Sequence, residues 1–415
     1  MKRRGFLRLA AVAGVLGGAA TFWPRRALFN PCLTALPQAI AESDLVQAAW
    51  MGIDAQQVWD CHVHLIGIGD SASGAWSNPN LDSWLYPLQH VQKLFYLNAG
   101  CVHQAPGQVD QSYVERLQNL VAGLKPGAKL MLLAFDLNHD ADGKPDWANS
   151  SFYTPDAYAH AMAQQYARYF EWIASIHPYR TDAVPALKQA IQFGARAVKW
   201  LPSAMNIDPA SARCDAFYRV MAHYDLPLLT HGGRERAVSG GAAQDFGNPL
   251  KLRRALDLGV RVIVAHCASL GEDRDLDQGT KGAMRPSFEL FARLMQEPRY
   301  QGRLFGDISA MTQNDRAPFL KQILARTGWH TRLLNGTDYP LPGILPIYSA
   351  ARFVDLGMLA PEAVPVLDVI QQHNPLLFDF VLKRSLVLNG THFPAAIFET
   401  RPFFERTQHA TDTQS

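Results

Sequence analysis

The feature that most restricts the fold is a rhythm. From Lys129 onward, short apolar runs alternate with amphipathic stretches. The runs are Lys129–Phe135, Glu171–Ile176, Ala195–Leu201, Pro227–Thr230, Arg261–His266, Leu304–Ile308 and Arg332–Asn335, and the earlier Val58–Leu65 makes eight. Helical patterns fall between them at Pro155–Tyr169, Asp182–Phe193, Cys214–His223, Pro249–Leu258, Pro286–Gln296 and Arg316–Thr327, followed by two near Pro361–Gln372 and Pro375–Lys383. Strands apolar on both faces and separated by helices are parallel and covered on each side. Eight such units predict an α/β fold, a (β/α)8 TIM barrel over residues 58–386, with chemistry at the C-terminal strand ends. An open doubly wound sheet is the alternative. Against it, no strand leads into a glycine-rich phosphate loop of the G-x-G-x-x-G kind.

Two segments interrupt the rhythm. Residues 66–128 form a long insertion after the first strand, opening with Gly67, Gly69, Gly74 and Asn78-Pro79 and continuing into helical patterns near Pro87–Leu97 and Gln111–Leu124. A loop of that length reads as a lid or specificity cap. Trp76, Trp84 and Tyr86 within it are candidates for lining an apolar pocket or for core packing. Residues 387–415 form a C-terminal extension, whose polar end from Arg401 is expected to fray. Insertion and extension together are expected to shape the substrate pocket.

The N-terminus has a different character. Lys2-Arg3-Arg4-Gly5-Phe6-Leu7-Arg8 precedes an apolar, small-residue run from Leu9 to Phe22. Residues 1–22 resemble a twin-arginine export signal, which predicts the export machinery as a partner and a periplasmic location. That route carries folded proteins, which suits an enzyme that takes up its metal first. Gly18-Ala19-Ala20 loosely fits a cleavage site, and retention as an uncleaved anchor stays open. Residues 23–57 are a leader to the barrel. Formal net charge is +2, and without the four N-terminal cations the rest is slightly acidic, so nucleic acid is not an expected partner. Five scattered cysteines contain no C-x-x-C, which excludes a cysteine zinc knot, and their odd number suggests no disulfide framework. Cys61 and Cys267 each adjoin a histidine on a strand and are expected to face away from it.

The chemistry-bearing residues sit at strand ends. In Trp59-Asp60-Cys61-His62-Val63-His64, alternation puts Asp60, His62 and His64 on one face. Lys199 ends the fourth strand, His231 the fifth, His266 the sixth, Asp307 the seventh, and Asp338 follows the eighth. Singly, each has a bland reading as a core histidine, a solvated lysine or a turn aspartate. Together, at one level of one barrel, they describe a site for a divalent metal.

That set resembles the amidohydrolase superfamily, closest to the amidohydrolase-related branch that includes hydrolases and decarboxylases. The matching pieces are Asp60-x-His62-x-His64, Ile176-His177-Pro178-Tyr179-Arg180, Val198-Lys199-x-x-Pro202, Thr230-His231-Gly232, Ala265-His266 and Thr337-Asp338-Tyr339-Pro340. The resemblance implies that His62, His64, His231 and Asp338 hold a first metal, most simply zinc, and that Asp338 moves the proton of an activated water. It implies either a carboxylated Lys199 bridging to a second ion on His266, or one ion with His266 as catalytic acid or base. Arg180 and Arg234 are candidate clamps for a substrate carboxylate, and Asp60 and Asp307 candidate supports for the ligands. The expected activity is hydrolysis of a small ester, lactone or amide carbonyl. A single-metal decarboxylase of an unsaturated or aromatic acid is the alternative, and a non-catalytic metal or ligand binder the third reading. Oligomeric state is open, a homodimer being admissible.

Overall fold

The computed structural model describes residues 28–238 and 243–405. The proposed export signal therefore lies outside the described residues. Eight parallel strands are present: β1 (Trp59–His64), β2 (Lys129–Leu133), β3 (Phe170–Ile173), β4 (Val198–Trp200), β5 (Leu228–His231), β6 (Val262–Ala265), β7 (Leu304–Asp307) and β8 (Leu333–Leu334). Neighbours pair in chain order within β1–β3 and within β4–β8. The two arcs are joined at both seams. Lys199 N donates to Ala174 O at 2.7 Å beside a parallel Ala174–Val198 bridge, and Cys61 N donates to Asn335 O at 3.2 Å beside a Val63–Tyr339 bridge. The fold is a (β/α)8 barrel.

Side-chain alternation sorts the strands into two cores. Outward residues such as Leu132, Val198, Leu228 and Val264 pack against the surrounding helices, among them α4 (Ala183–Gln192), α5 (Asp215–His223), α7 (Ser287–Gln296) and α8 (Ala317–Ala325). Helix α7 shows the logic: Phe288, Phe291, Leu294 and Met295 recur at helical spacing and are all buried. Each such side chain contributes roughly 1.5–3 kcal/mol on burial. Inward residues Met131, Leu133, Ile173, Ala197, Leu229 and Ile263 form a smaller inner core, and on the same faces Lys199, His231 and Asp307 rise above it.

Three expectations are corrected. Strand β1 does not alternate simply, because its register shifts between Asp60 and Val63. The extra residue lets Cys61 join Trp59 in the inner core while His62 also points inward above it. Cys61 thus faces in; Cys267 lies in the outer core as expected. Among the described residues of the C-terminal extension, 387–405, none lines the pocket, and the chain is helical over Arg401–Phe404 where fraying was expected. It returns under the barrel, where Phe404 is buried in the inner core, Thr400 Oγ1 bonds Trp59 O, and Arg261 Nη1 donates to Phe403 O at 3.0 Å. Finally, Cys32 and Cys101 form a disulfide, with Cα atoms 5.6 Å apart, that an odd cysteine count had hidden. It ties the leader to the insertion, whose helices are α1 (Pro87–Ala99) and α2 (Val109–Ala122).

Candidate metal centre

The six sequence-predicted ligands all line one cavity of about 460 Å³ at the C-terminal strand ends. Asp338 is at its centre. Its carboxylate lies 3.0 Å from His64 Nε2, 3.3 Å from His62 Nε2 and 3.5 Å from His266 Nε2. Lys199 Nζ lies 2.9 Å from His62 Nε2. The His231 ring stands 5.4 Å from that of His266.

Two imidazoles share one orientation device, and a third faces a carboxylate. His62 Nδ1 meets Asp307 Oδ2 at 2.8 Å, His266 Nδ1 meets Ser309 O at 2.8 Å, and His231 Nδ1 faces Glu235 Oε2 at 3.4 Å. For His62 and His266 the acceptor fixes the proton on Nδ1 and leaves the Nε2 lone pair toward Asp338, 3.3 and 3.5 Å away; Glu235 stands at ion-pair distance from His231 Nδ1. Burial then pushes the pKa of all three below the ordinary histidine value, so the rings are neutral. Asp338 is held well below the usual carboxylate range: burial raises it, while the positive charge that His62 and His266 gain on protonation and the His64 hydrogen bond lower it, so within this cluster the carboxylate gives up its proton before the rings do. Neutral imidazoles beside an anionic carboxylate are the donor states a divalent cation requires. His231 Nε2 is buried with no hydrogen-bond partner among the described residues, a costly state that a bound cation would relieve. His62, His266 and Asp338 already bring ligand atoms within 4.8 Å of one another. The residues present fit a divalent metal.

Backbone conformation sets two of these positions. Ile263 and Ala265 point inward, so continued alternation would send His266 outward; instead the chain turns left-handed through His266, Cys267 and Ala268 (φ 54°, 49°, 49°) and brings the ring back. Asp338 is also left-handed, at φ 63°. Such conformations cost about 1–3 kcal/mol each and persist only where the surroundings impose them. Here the surroundings are specific. Asp60 accepts from Thr337 N (2.9 Å), Thr337 Oγ1 (2.6 Å) and His62 N (3.1 Å), stapling β1 to the segment that carries Asp338. Burial raises the Asp60 pKa to about 7, the Thr337 bond opposing it. From below, Lys383 on α10 (Pro375–Ser385) donates to Gly336 O at 2.8 Å and pairs with Asp379 at 2.5 Å. Gly336 must be glycine, since a Cβ there would sit 2.6 Å from that of His62.

The two predicted clamps are not in this cavity. Arg180 is bound to Asp182 (2.8 and 2.9 Å) and Asp136 (3.1 Å) beside a separate cavity, where it braces the loops after β2 and β3. Arg234 is exposed and absent from the lining. The buried arginine on this cavity's wall is Arg316 at the start of α8, which gives Nη1 to Ser269 Oγ at 2.6 Å and whose Nε has no partner among the described residues. Sequence reasoning missed it because a loop residue nine positions beyond β7 carries no periodic signal. Glu235 and Ser309 were missed too, although each follows a recognised residue at short spacing, four after His231 and two after Asp307. Trp76 packs edge-on to Trp147 at 5.0 Å, and Trp84 and Tyr86 are exposed; Phe95, Tyr96 and Phe152 line the cavity instead.

A family model described as Amidohydrolase matches residues 59–363, and the chain belongs to that family of metal-dependent hydrolases and decarboxylases. No curated protein matches it. Solved structures similar to it include a TIM-barrel protein from Bordetella bronchiseptica (16% identity, 79% of this chain and 99% of that chain, TM-score 0.44). Others are a 4-oxalomesaconate hydratase from Rhodopseudomonas palustris (12%, 79% and 98%, 0.41) and a 2,6-dihydroxybenzoate decarboxylase from Rhizobium (12%, 78% and 98%, 0.36).

Proposed function

We propose that the protein is a metal-dependent hydrolase acting on a small ester, lactone or amide. The observation that carries this reading is the shared orientation of His62 and His266, each Nδ1 tied back and each Nε2 turned toward Asp338, with the buried His231 on the same cavity wall. A divalent ion, zinc being the simplest choice, would be held by His62, His64, His231 and Asp338; it lowers the pKa of a bound water to about 7 and polarises a carbonyl. Asp338, kept anionic, takes the proton released from water and hands it to the leaving group. Without the ion, His64 Nε2 lies 3.0 Å from Asp338 Oδ1 as a hydrogen-bond partner, a contact it would exchange for the cation. An anionic group on the substrate meets Arg316. Lys199, its pKa lowered by burial, is suited to carboxylation, which needs the neutral amine, and would then bridge toward a second ion on His266.

Export through the twin-arginine route remains part of the proposal. It is supported by the Cys32–Cys101 disulfide, since such bonds persist in oxidising compartments. The test is purified full-length protein, loaded with zinc or manganese, its metal content measured, against a panel of lactones, esters and amides. Turnover abolished by Asp338→Asn is the expected result. Metal-loaded protein inert across the panel, but releasing carbon dioxide from aromatic or unsaturated acids, would replace hydrolase by decarboxylase.

A further inference from the structure

The cavity has a floor and walls of different character. The floor carries the six predicted ligands, all polar. The walls are mostly apolar: Ile68 and Leu81 from the loop after β1, Val91 and Phe95 from α1, Phe152 from the connection after β2, and Ile347 from the loop after β8. Polar side chains on these walls are engaged within the protein. Lys93 Nζ donates to Asp82 Oδ1 at 2.7 Å, Arg236 Nη1 pairs with Asp315 at 3.4 Å, and Glu235 Oε1 accepts from Val238 N at 2.9 Å. Charge that can meet a ligand is therefore concentrated at the floor and at Arg316. The volume, about 460 Å³, is that of a site for a drug-sized molecule, much more than a carbonyl and an attacking water fill.

These walls are held in place without a ligand. Trp76–Ser77 pairs antiparallel with Phe152–Tyr153, and α1 is latched to the loop after β5 by Tyr96 Oη to Ala237 O (2.9 Å) and Gln92 Nε2 to Arg236 O (3.2 Å). The leader adds to this hold. Phe29 stacks on Phe95 at 5.5 Å, and Asn30 N donates to Asn98 Oδ1 at 2.8 Å. The apolar surface also continues outward. Leu88 precedes Val91 by three residues and Phe95 by seven, so the three share one face of α1. Along it the chain passes from Leu88, 65% exposed, to the half-buried Val91 and Phe95 on the cavity wall.

We propose that the substrate bears an apolar arm, an alkyl chain of medium length, which lies along the Val91 and Phe95 face of α1 while the reacting carbonyl sits on the floor. The inference rests on the hydrolase reading and names the substrate class within it: amphiphilic lactones, esters or amides. A wholly polar substrate of the same size would give up its hydrogen bonds to water against a wall that does not replace them. An alkyl arm instead gains with every methylene it buries there. The exposed Leu88 extends the same stripe to the surface, so a chain longer than the cavity meets an apolar exit.

The test is calorimetric titration of the metal-loaded full-length protein with straight-chain carboxylates from acetate to octanoate, the acids that hydrolysis of the matching esters would release. Affinity is expected to rise about fourfold with each methylene that enters the cavity, and by at least about a hundredfold from acetate to octanoate. Phe95→Ala is expected to cut the octanoate-to-acetate ratio by about tenfold or more, the cost of deleting a large apolar contact. Val91→Thr, which keeps the branched shape and adds only a hydroxyl, is expected to cut it by about threefold. Metal content and thermal unfolding check that both variants are folded. A flat affinity series overturns the inference, even where short esters are hydrolysed. So does a steep series that both substitutions leave unaltered, which places the alkyl chain elsewhere on the protein. A steep series that the substitutions flatten, in protein that hydrolyses no ester, lactone or amide, upholds the apolar arm and removes the hydrolase reading instead.

Discussion

Asp307→Asn is the sharpest probe of the metal centre, because the structure dictates which way the new amide turns. Asp307 Oδ1 accepts from His266 N (2.8 Å), Ser309 N (3.1 Å) and Ser309 Oγ (2.5 Å). An amide nitrogen cannot accept any of these, so the asparagine oxygen must take that position. The NH2 group then faces His62 Nδ1, which in the native protein donates to a carboxylate oxygen at 2.8 Å. Nδ1 becomes an acceptor, its proton moves to Nε2, and the nitrogen turned toward Asp338 and Lys199 loses its lone pair. Removing a partner of this kind lowers metal affinity by about 10–100-fold, or ~1.4–2.7 kcal/mol. The assay is competition with a chelator of known affinity, by calorimetry or fluorescence, alongside thermal unfolding of the metal-free proteins. The substitution is nearly isosteric, so the metal-free fold should hold. Unchanged metal affinity in a folded variant would refute the tautomer argument, and with it the assignment of His62 Nε2 as a ligand.

Further outcomes follow from other contacts. Arg316→Leu should raise KM for anionic substrates by about 10–100-fold, the worth of a hydrogen bond to a charged group, and leave neutral analogues nearly unaffected; equal effects on both would deny it the anchoring role. His177 donates from Nε2 to Met205 O (2.8 Å) and accepts at Nδ1 from Tyr179 N (3.1 Å), and burial lowers its pKa to about 3. The unfolded chain protonates near 6.5 and the folded one does not, so this group costs nothing above pH 6.5 and about 2 kcal/mol at pH 5, growing until about pH 3. Denaturant unfolding at pH 7 and 5 should show a shallower loss for His177→Asn, which keeps one donor and one acceptor. Replacing Cys32 and Cys101 by serine opens a loop of sequence separation 69, worth about 4 kcal/mol on the loop-entropy model. A loss below 1 kcal/mol in denaturant titration would show that the leader is held by Asn30 and Phe29 alone.

How far the sequence could be read differs by element. Eight apolar runs located eight strands, since period and burial are written locally in the side chains. Asp338 and the four histidines were legible for the same reason, each sitting where a strand ends. What failed depended on neighbours distant in sequence. The bulge in β1 is set by pairing with β2, so alternation misdirected Cys61. Arg180 looked like a clamp, yet its carboxylate partner Asp136 lies on another loop. Phe404 stands at the head of a polar tail, and only the closed barrel supplies the apolar floor that buries it. The Cys32–Cys101 bond joins residues whose proximity depends on how the insertion folds back.

The floor has a consequence for biosynthesis. Thr400 closes onto Trp59 across 341 positions of chain, and Phe404 fills the space beside it. Until those last segments clear the ribosome, the underside of the barrel stays open to water and its first strand lacks a finished support. Contacts of such separation are paid for late, because chain closure must precede them. Completion of the barrel thus waits until Phe404 has been made and has left the ribosome, and any transporter that accepts only finished barrels must wait for it.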